Sequence, residues 1–223
     1  MIPYRGRLYS SVVTERIPDA TVHRLPLYLQ CLEGLPSSRS RISSDELGVR
    51  AGVNAAVVRK DLSRLGCLGV RGVGYGVADL QIEIRRRLGL TGELPMVIVG
   101  IGNLGTALAS FSGFGAQGFR VVGLFDADPA KVGTRVDRHT VEPMADLVEA
   151  ARERRAAIGV ICTPAPVAQE TADLLAEAGV SSILNFAPIV IRAPDHVEVR
   201  RVDFSNELRV LGYHIHRRRN GGA

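Results

Sequence analysis

Tryptophan is absent from this chain, cysteine occurs three times, and aromatic residues make up only 5% of it. Cys31, Cys67 and Cys162 share no spacing that a metal ion or a redox dithiol needs, so they read as small hydrophobes beside a core. No apolar run reaches the roughly 18 residues of a membrane span. The opening MIPYRGRLYSSVVTERIPD holds no apolar stretch that would serve as a secretory signal. A cytoplasmic protein with no membrane partner is expected. His214 and His216 are spaced for opposite faces of a strand or a frayed end, so no metal is expected either.

What the chain does hold is enough material for two modest domains, 223 residues of which 46% are hydrophobic and 23% charged. The charge is unevenly spread. Residues 1–92 carry 14 Lys and Arg against 8 Asp and Glu, a balance of +6; residues 93–223 carry 14 against 15, a balance of −1. A basic front part implies either a polyanion partner or simply a solvated surface.

Helical spacing decides between them. A first helix is expected over Ala20 to Leu35, with Val22, Leu25, Leu29 and Leu32 in one stripe and Pro26 kinking it or marking a ragged first turn. In ISSDELGVRAG, Ser43 and Glu46 have the spacing of a capping box, Leu47 and Val49 offer apolar contacts, and Gly52 lies where a turn is wanted. Asn54 then caps a helix in which Val58, Leu62 and Leu65 form a buried stripe, leaving Arg59, Lys60, Ser63 and Arg64 off it. Helix, glycine turn and basic second helix make a helix-turn-helix, its second helix suited to a major groove. GCLGVRGVGYGV, Gly66 to Val77, reads as a tight hairpin, a wing with Arg71 at its tip for a minor groove and Leu68, Val70, Val73, Tyr75 and Val77 half buried; a flexible linker is the alternative. Ser44, Asn54, Arg59, Lys60, Ser63, Arg64, Arg71 and Tyr75 form the expected DNA-facing set. A helix over Leu80 to Leu90 joins the modules, its RRR read as a solvated face in preference to a phosphate contact.

The back module opens on VIVGIGNLG, Val97 to Gly105. A short apolar run suits a buried parallel strand. Gly100 permits the sharp turn, Gly102 lets the backbone approach a pyrophosphate, and Gly105 lets helix and strand pack closely; Asn103 and Leu104 begin the helix whose N–H groups meet the phosphates. A second strand, Phe119 to Phe125, ends in Asp126, 21 residues after Gly105, where an acid meets the ribose hydroxyls of a dinucleotide. An acid there disfavours a 2′-phosphate, so NADH and NAD+ are the expected ligands, with Lys131 close behind. Strands and helices continue to alternate through AAIGVICTP, APVAQETADLLAEAG and SSILNFAP, which predicts a doubly wound parallel sheet of Rossmann type. Thr163, Pro164, Asn185, Phe186, Ala187 and Pro188 fall at strand ends and are the candidates for the nicotinamide side. Val197 to Val202 alternates like an edge strand, and Asp203 caps a last helix with Phe204, Leu208 and Leu211 on one face.

Hydride transfer to a carbonyl compound needs a proton donor or acceptor beside the nicotinamide, and these strand ends offer no His, Lys or Tyr. No catalytic residue and no enzyme activity are expected. Three other readings remain open: an oxidoreductase with an appended DNA-binding domain, a CoA-binding ligase subunit, and a structural DNA binder with a vestigial cofactor fold.

The run VRKDLSRLGCLGVRGVGYGV, with VGIGNLG, GLFDADPAKVG, ILNFAP and VDFSNEL, resembles the redox-sensing transcriptional repressors called Rex, over about residues 20–212. The resemblance implies an α/β chain divided into a winged helix-turn-helix DNA-binding domain (1–90), a Rossmann NAD(H)-binding domain (91–202) and a C-terminal domain-swapped helix (203–216); the last residues (217–223) read as a disordered tail. It implies a homodimer that holds double-stranded operator DNA of inverted-repeat form and lets go when NADH binds. Arg59 and Lys60 then lie on the recognition helix, and Phe204 reaches toward the nicotinamide of the partner subunit. Where the family often has a tyrosine able to hydrogen-bond the aspartate matching Asp203, this chain has Phe111.

Overall fold

The computed structural model describes residues 17–220 and divides the chain into two units that part between Thr91 and Gly92. In the first unit, α1 (Asp19–Val22) and α2 (Leu25–Glu33) stand where one helix over Ala20 to Leu35 was expected. The break falls at His23 and Arg24 because Pro26, at the second position of α2, is tolerated only in a first turn. Val22 is consequently exposed, while Leu25, Leu29 and Leu32 are buried. Strand β1 (Arg41–Ile42) leads into α3 (Ser44–Ala51) and α4 (Ala55–Arg64), and β2 (Tyr75–Gly76) leads into α5 (Val77–Arg87). Tyr28, Leu32, Leu47, Leu62 and Ile84 close one core between these helices.

Two expectations fail here. Val49 is 84% exposed, on the face of α3 opposite Leu47. The glycine-rich hairpin is reduced to a single bridge, Val70 to Gly74, and its second strand pairs elsewhere: Tyr75 opposes Ile42 of β1. With no cross-strand surface of its own to cover them, Leu68, Val70 and Val73 are exposed.

The second unit is a seven-stranded sheet made of β3 (Leu94–Val99), β4 (Phe119–Asp126), β5 (Arg135–Val136), β6 (His139–Pro143), β7 (Ile158–Ile161), β8 (Ser182–Asn185) and β9 (Glu198–Arg201). Its order is β5-β6-β4-β3-β7-β8-β9, parallel throughout except at β5–β6. Along β3, Val97 and Val99 belong to one core and Met96 and Ile98 to the other, which is why that run is apolar at every position. Helices α6 (Asn103–Ala109), α7 (Gly113–Ala116), α8 (Leu147–Glu153) and α9 (Ala165–Glu177) supply the connections. The chain leaves β3 toward β4 on one side and later returns to β7 on the other, so the strand order reverses between β3 and β7.

The last helix, α10 (Phe204–Asn220), starts where Asp203 accepts the Ser205 N–H at 3.0 Å. It runs through Arg217, Arg218 and Arg219, where a disordered tail was expected; arginine is a good helix former and its charge complements the C-terminal dipole. Residues 221–223 of that expected tail lie outside the described residues. Every described side chain of α10 from Phe204 to Arg219 is exposed. Among the described residues no helix is long and apolar enough to cross a membrane.

Candidate functional site

The front unit presents α4 by two caps and a turn. Ser43 Oγ accepts the Glu46 N–H at 3.0 Å and Asn54 Oδ1 accepts the Ala56 N–H at 2.8 Å. Glu46 completes no reciprocal cap; its carboxylate bonds Arg39 and Arg50 instead. Gly52 adopts φ 64°, and a Cβ on Gly48 would lie 2.5 Å from the Val53 carbonyl, so both glycines are needed for α3 and α4 to pack as they do. Val58, Leu62 and Leu65 are buried as the spacing predicts.

The expected DNA-facing residues separate into two groups. Arg59, Lys60, Ser63 and Arg71 are exposed. Ser44 is buried and accepts Arg59 Nη1 at 3.0 Å, so it aims that guanidinium from behind. Arg64, also exposed, donates to Thr21 Oγ1 at 3.1 Å. Tyr75 is half buried with its ring where a Cβ of Gly69 would be, and burial pushes its hydroxyl pKa up. Asn54 uses its side-chain oxygen as the cap. Arg41 is an exposed cation that the spacing argument missed; it reaches the Gly74 carbonyl at the base of the wing. Its signal was the alternation of arginines in SSRSRISS, just before the Ser43 cap. The arginines of α5 are occupied, Arg85 by Glu33 and Arg86 and Arg87 by Glu83.

In the second unit a cavity of about 710 Å³ opens where the strand order reverses. Gly100, Gly102, Asp126, Lys131, Thr163 and Pro164 line it together with Cys162, Met144 and Glu170. The three motif glycines have different reasons to be glycine. Gly100 has φ 92° and a Cβ there would meet the Cys162 and Thr163 backbone at 2.8 Å; a Cβ on Gly105 would lie 2.0 Å from the Gly100 carbonyl. Gly102 faces nothing within 4 Å and has φ −87°, so the protein itself places no demand for glycine there. The open space in front of it fits a pyrophosphate passing close to the backbone.

Asp126, 7% exposed, holds this turn together. Its Oδ2 accepts the Ile101 N–H at 2.6 Å and Lys131 Nζ at 3.1 Å, and its Oδ1 accepts the Asp128 N–H at 2.9 Å. Burial alone would raise its pKa; the Asp128 N–H, Lys131 and the Ile101 N–H outweigh that and hold the carboxyl below the usual carboxylate range. Thr163 Oγ1 is buried without a hydrogen-bond partner, an orphan that a polar ligand in the cavity would satisfy. Burial pushes the Cys162 thiol up to about 11, which leaves it an inert wall. A dinucleotide therefore fits the residues present.

The other candidates lie outside this lining. Asn103 and Leu104 are exposed at the start of α6, which has no side-chain cap. Asn185 does not face the cavity: fully buried, it donates to the Ala187 and Ile189 carbonyls and accepts the Ala187 N–H, bracing the loop that carries Phe186, Ala187 and Pro188. Phe186 stacks on Phe204 of the same chain, with centroids 6.1 Å apart. Phe111 packs edge-on against Phe114, and Asp203 is engaged by Arg201 and the Ser205 N–H.

Comparison with known proteins extends this picture. Residues 16–63 match the family model described as "Putative DNA-binding protein N-terminus", and residues 92–189 match the one described as "CoA binding domain". The chain is 52% identical over 216 residues to the redox-sensing transcriptional repressor Rex of Streptomyces avermitilis, covering 96% of this chain and 85% of that one. It is 44% identical to the Rex of Carboxydothermus hydrogenoformans, over 91% of this chain and 98% of the relative. Among solved structures, RSP in complex with beta-NAD+ and operator DNA superposes with a TM-score of 0.86 at 34% identity, covering 92% of this chain and 95% of the other. RSP in complex with beta-NADH gives 0.81 at 33% identity, covering 94% and 97%.

Proposed function

The chain belongs to the Rex family of redox-sensing transcriptional repressors, and from that membership we propose how its parts divide the work. It is a DNA-binding repressor whose hold on operator DNA responds to NADH, with NADH and NAD+ as regulatory ligands. Residues 1–90 grip the operator, 91–202 take the dinucleotide, and α10 ties two copies into a homodimer in the cytoplasm. Arg59, Lys60 and Ser63 face the major groove from α4, Ser44 aims Arg59, and Arg71 enters the minor groove from the wing. Two such units meet the half-sites of an inverted repeat one helical turn apart.

In the back unit, the backbone of Gly100, Gly102, Asn103, Leu104 and Gly105 receives the pyrophosphate. Asp126 accepts from the adenosine ribose hydroxyls, and Lys131 keeps that carboxylate ionised. Thr163 and Pro164, with Phe186, Ala187, Pro188 and Phe204, take the nicotinamide side, while Asn185 holds their loop in place. When bound, the nicotinamide supplies a charge that follows its redox state, positive when oxidised and absent when reduced. The apolar surface of Phe186, Ala187 and Phe204 accepts an uncharged ring and disfavours an unpaired cation, at a cost on the order of several kcal/mol. A hundredfold preference needs only about 2.8 kcal/mol. A ligand moves a conformational equilibrium only by its differential affinity for the two states, so this preference is what lets NADH release the operator where NAD+ does not.

The dinucleotide acts here as a signal and not as a hydride carrier: Thr163, Pro164, Phe186, Ala187, Pro188 and Phe204, the residues assigned to the nicotinamide side, include no His, Lys or Tyr. The observation carrying the reading is the crevice of Gly102, Asp126 and unpartnered Thr163 on the same chain as the basic α4. A mobility-shift titration on an inverted-repeat duplex, with NADH and NAD+ in parallel, tests it. NADH is expected to release the DNA at concentrations where NAD+ leaves it bound; equal potency of the two forms would refute the charge argument.

A further inference from the structure

At the middle of α4 stands Asp61, a carboxylate with no exposed surface, on the side of the helix away from Arg59, Lys60 and Ser63. Nothing in the function above uses it. Its hydrogen bonds are complete, two to each oxygen. Oδ1 accepts Thr21 Oγ1 at 2.8 Å and Arg24 Nη2 at 2.9 Å; Oδ2 accepts Arg24 Nε at 2.7 Å and the Tyr28 hydroxyl at 2.8 Å. Thr21 belongs to α1, Tyr28 to α2, and Arg24 to the joint between them. Arg64, one turn further along α4, bonds the same Thr21 oxygen at 3.1 Å and lies 4.0 Å from Asp61 Oδ1.

Stability is a poor reason for this arrangement. Burying the ions sacrifices their hydration, and such pairs commonly add little over apolar residues of the same volume. Direction is a better one. The other buried contacts of α4 are those of Val58, Leu62 and Leu65, aliphatic groups whose burial is favourable in any orientation, while its two further side-chain bonds, Arg59 to Ser44 and Arg64 to Thr21, come from residues with exposed surface. A helix seated only on such a stripe can creep or turn, and a slip of one residue rotates its outer face by about 100°. A carboxylate held by the fork of an arginine and by two hydroxyls from two helices has one position. Burial pushes the Asp61 carboxyl up, but the bonds from Arg24, Thr21 and Tyr28 more than reverse this, so the anion is the form the site is built for.

We propose that Asp61, held by Thr21, Arg24 and Tyr28, is a positioning residue that fixes the register of the recognition helix and so decides which of its side chains meet the operator bases. The proposal rests on α4 being the recognition helix. Its test uses the full chain and two duplexes of equal length: the inverted-repeat sequence that the wild-type protein enriches from a random pool, and a scrambled version.

For Asp61→Asn the ratio of operator to scrambled affinity is expected to fall about tenfold or more, since a misaimed helix behaves like a mismatched site. Tyr28→Phe, which removes one of four bonds, is expected to lower the ratio about threefold. Affinity for the scrambled duplex, set by phosphate contacts, and affinity for NADH are expected to stay within about twofold. A ratio unchanged in both variants, or equal losses on both duplexes, overturns the proposal, the second result marking Asp61 as a stability element only. Should Asp61→Asn fail to fold, Tyr28→Phe and Arg24→Lys decide in the same way. Should α4 not be the recognition helix, Arg59→Ala with Lys60→Ala would leave operator binding intact, a result that separates failure of that reading from failure of this one.

Discussion

Gly102 and Gly105 stand three positions apart in one motif, yet the physical demand on them differs. A methyl group on Gly105 would overlap the Gly100 carbonyl at 2.0 Å, whereas one on Gly102 meets open space at an ordinary φ. Gly105→Ala is therefore expected to cost about 1–3 kcal/mol of stability. Gly102→Ala is expected to leave the melting temperature unchanged or slightly raised and to weaken NADH at least about tenfold, because the methyl fills space a pyrophosphate needs. Thermal melts beside calorimetric titration with NADH distinguish the two. Asp126 braces the glycine turn and is the residue proposed above to accept the ribose hydroxyls. Asp126→Ala is expected to lower NADH affinity far more than ligand-free DNA affinity; an unaltered NADH affinity in the same titration would remove the ribose contact. The acid at the end of β4 and the glycines before it were legible from spacing alone, since that motif is a local chain geometry. The loop-bracing bonds of Asn185 were not legible, because a strand-end position says where a residue sits and nothing about where its amide bonds go.

Among the elements, α4 is the one most fully announced by the sequence. Its cap, stripe and basic face all follow from a 3.6-residue period within ten residues. Arg59→Ala with Lys60→Ala is expected to abolish operator binding while NADH affinity holds, as read by mobility shift and calorimetry; intact operator binding would displace α4 from its role. Arg64 and Asp61 were not legible in the same way. Both lie on the same short helix as the DNA candidates, but their partners are 33 to 43 residues away in α1, α2 and the joint between them, and such pairing leaves no periodic trace. The half-buried apolar face expected of the wing is missing for a related reason. Alternating apolar residues imply a covered face, but Val70 to Gly74 is too short to cover anything, and Tyr75 is claimed by Ile42.

For the molecule as a whole, the instructive part is α10. Phe204, Leu208, Leu211 and Ile215 follow helical spacing and remain exposed, from 53% to 67%, as an apolar stripe that a single chain leaves in water. A second copy of the chain is the cover proposed here. Deleting residues 204–223 is expected to turn the dimer into a monomer by sedimentation and to reduce operator affinity by more than a hundredfold, since two half-sites then bind without being linked. A truncated chain that still sediments as a dimer would place the interface elsewhere.

The strand-helix alternation of the back unit, the acid after the glycine turn and the basic second helix of the front unit were all settled by local chemistry: glycine where the backbone must turn or approach, apolar residues at periods of two or 3.6, a carboxylate at a fixed distance along the chain. Folding in three dimensions decided what those rules leave free. It gave Arg64 to Thr21 and Asp61 to Arg24, spent Asn185 on its own loop, and set Phe204 against Phe186. The division has one cause. Periodicity and turn chemistry act between neighbours in the chain and are written there, whereas a hydrogen bond between distant side chains depends on which elements come to lie together, and that depends on the whole fold.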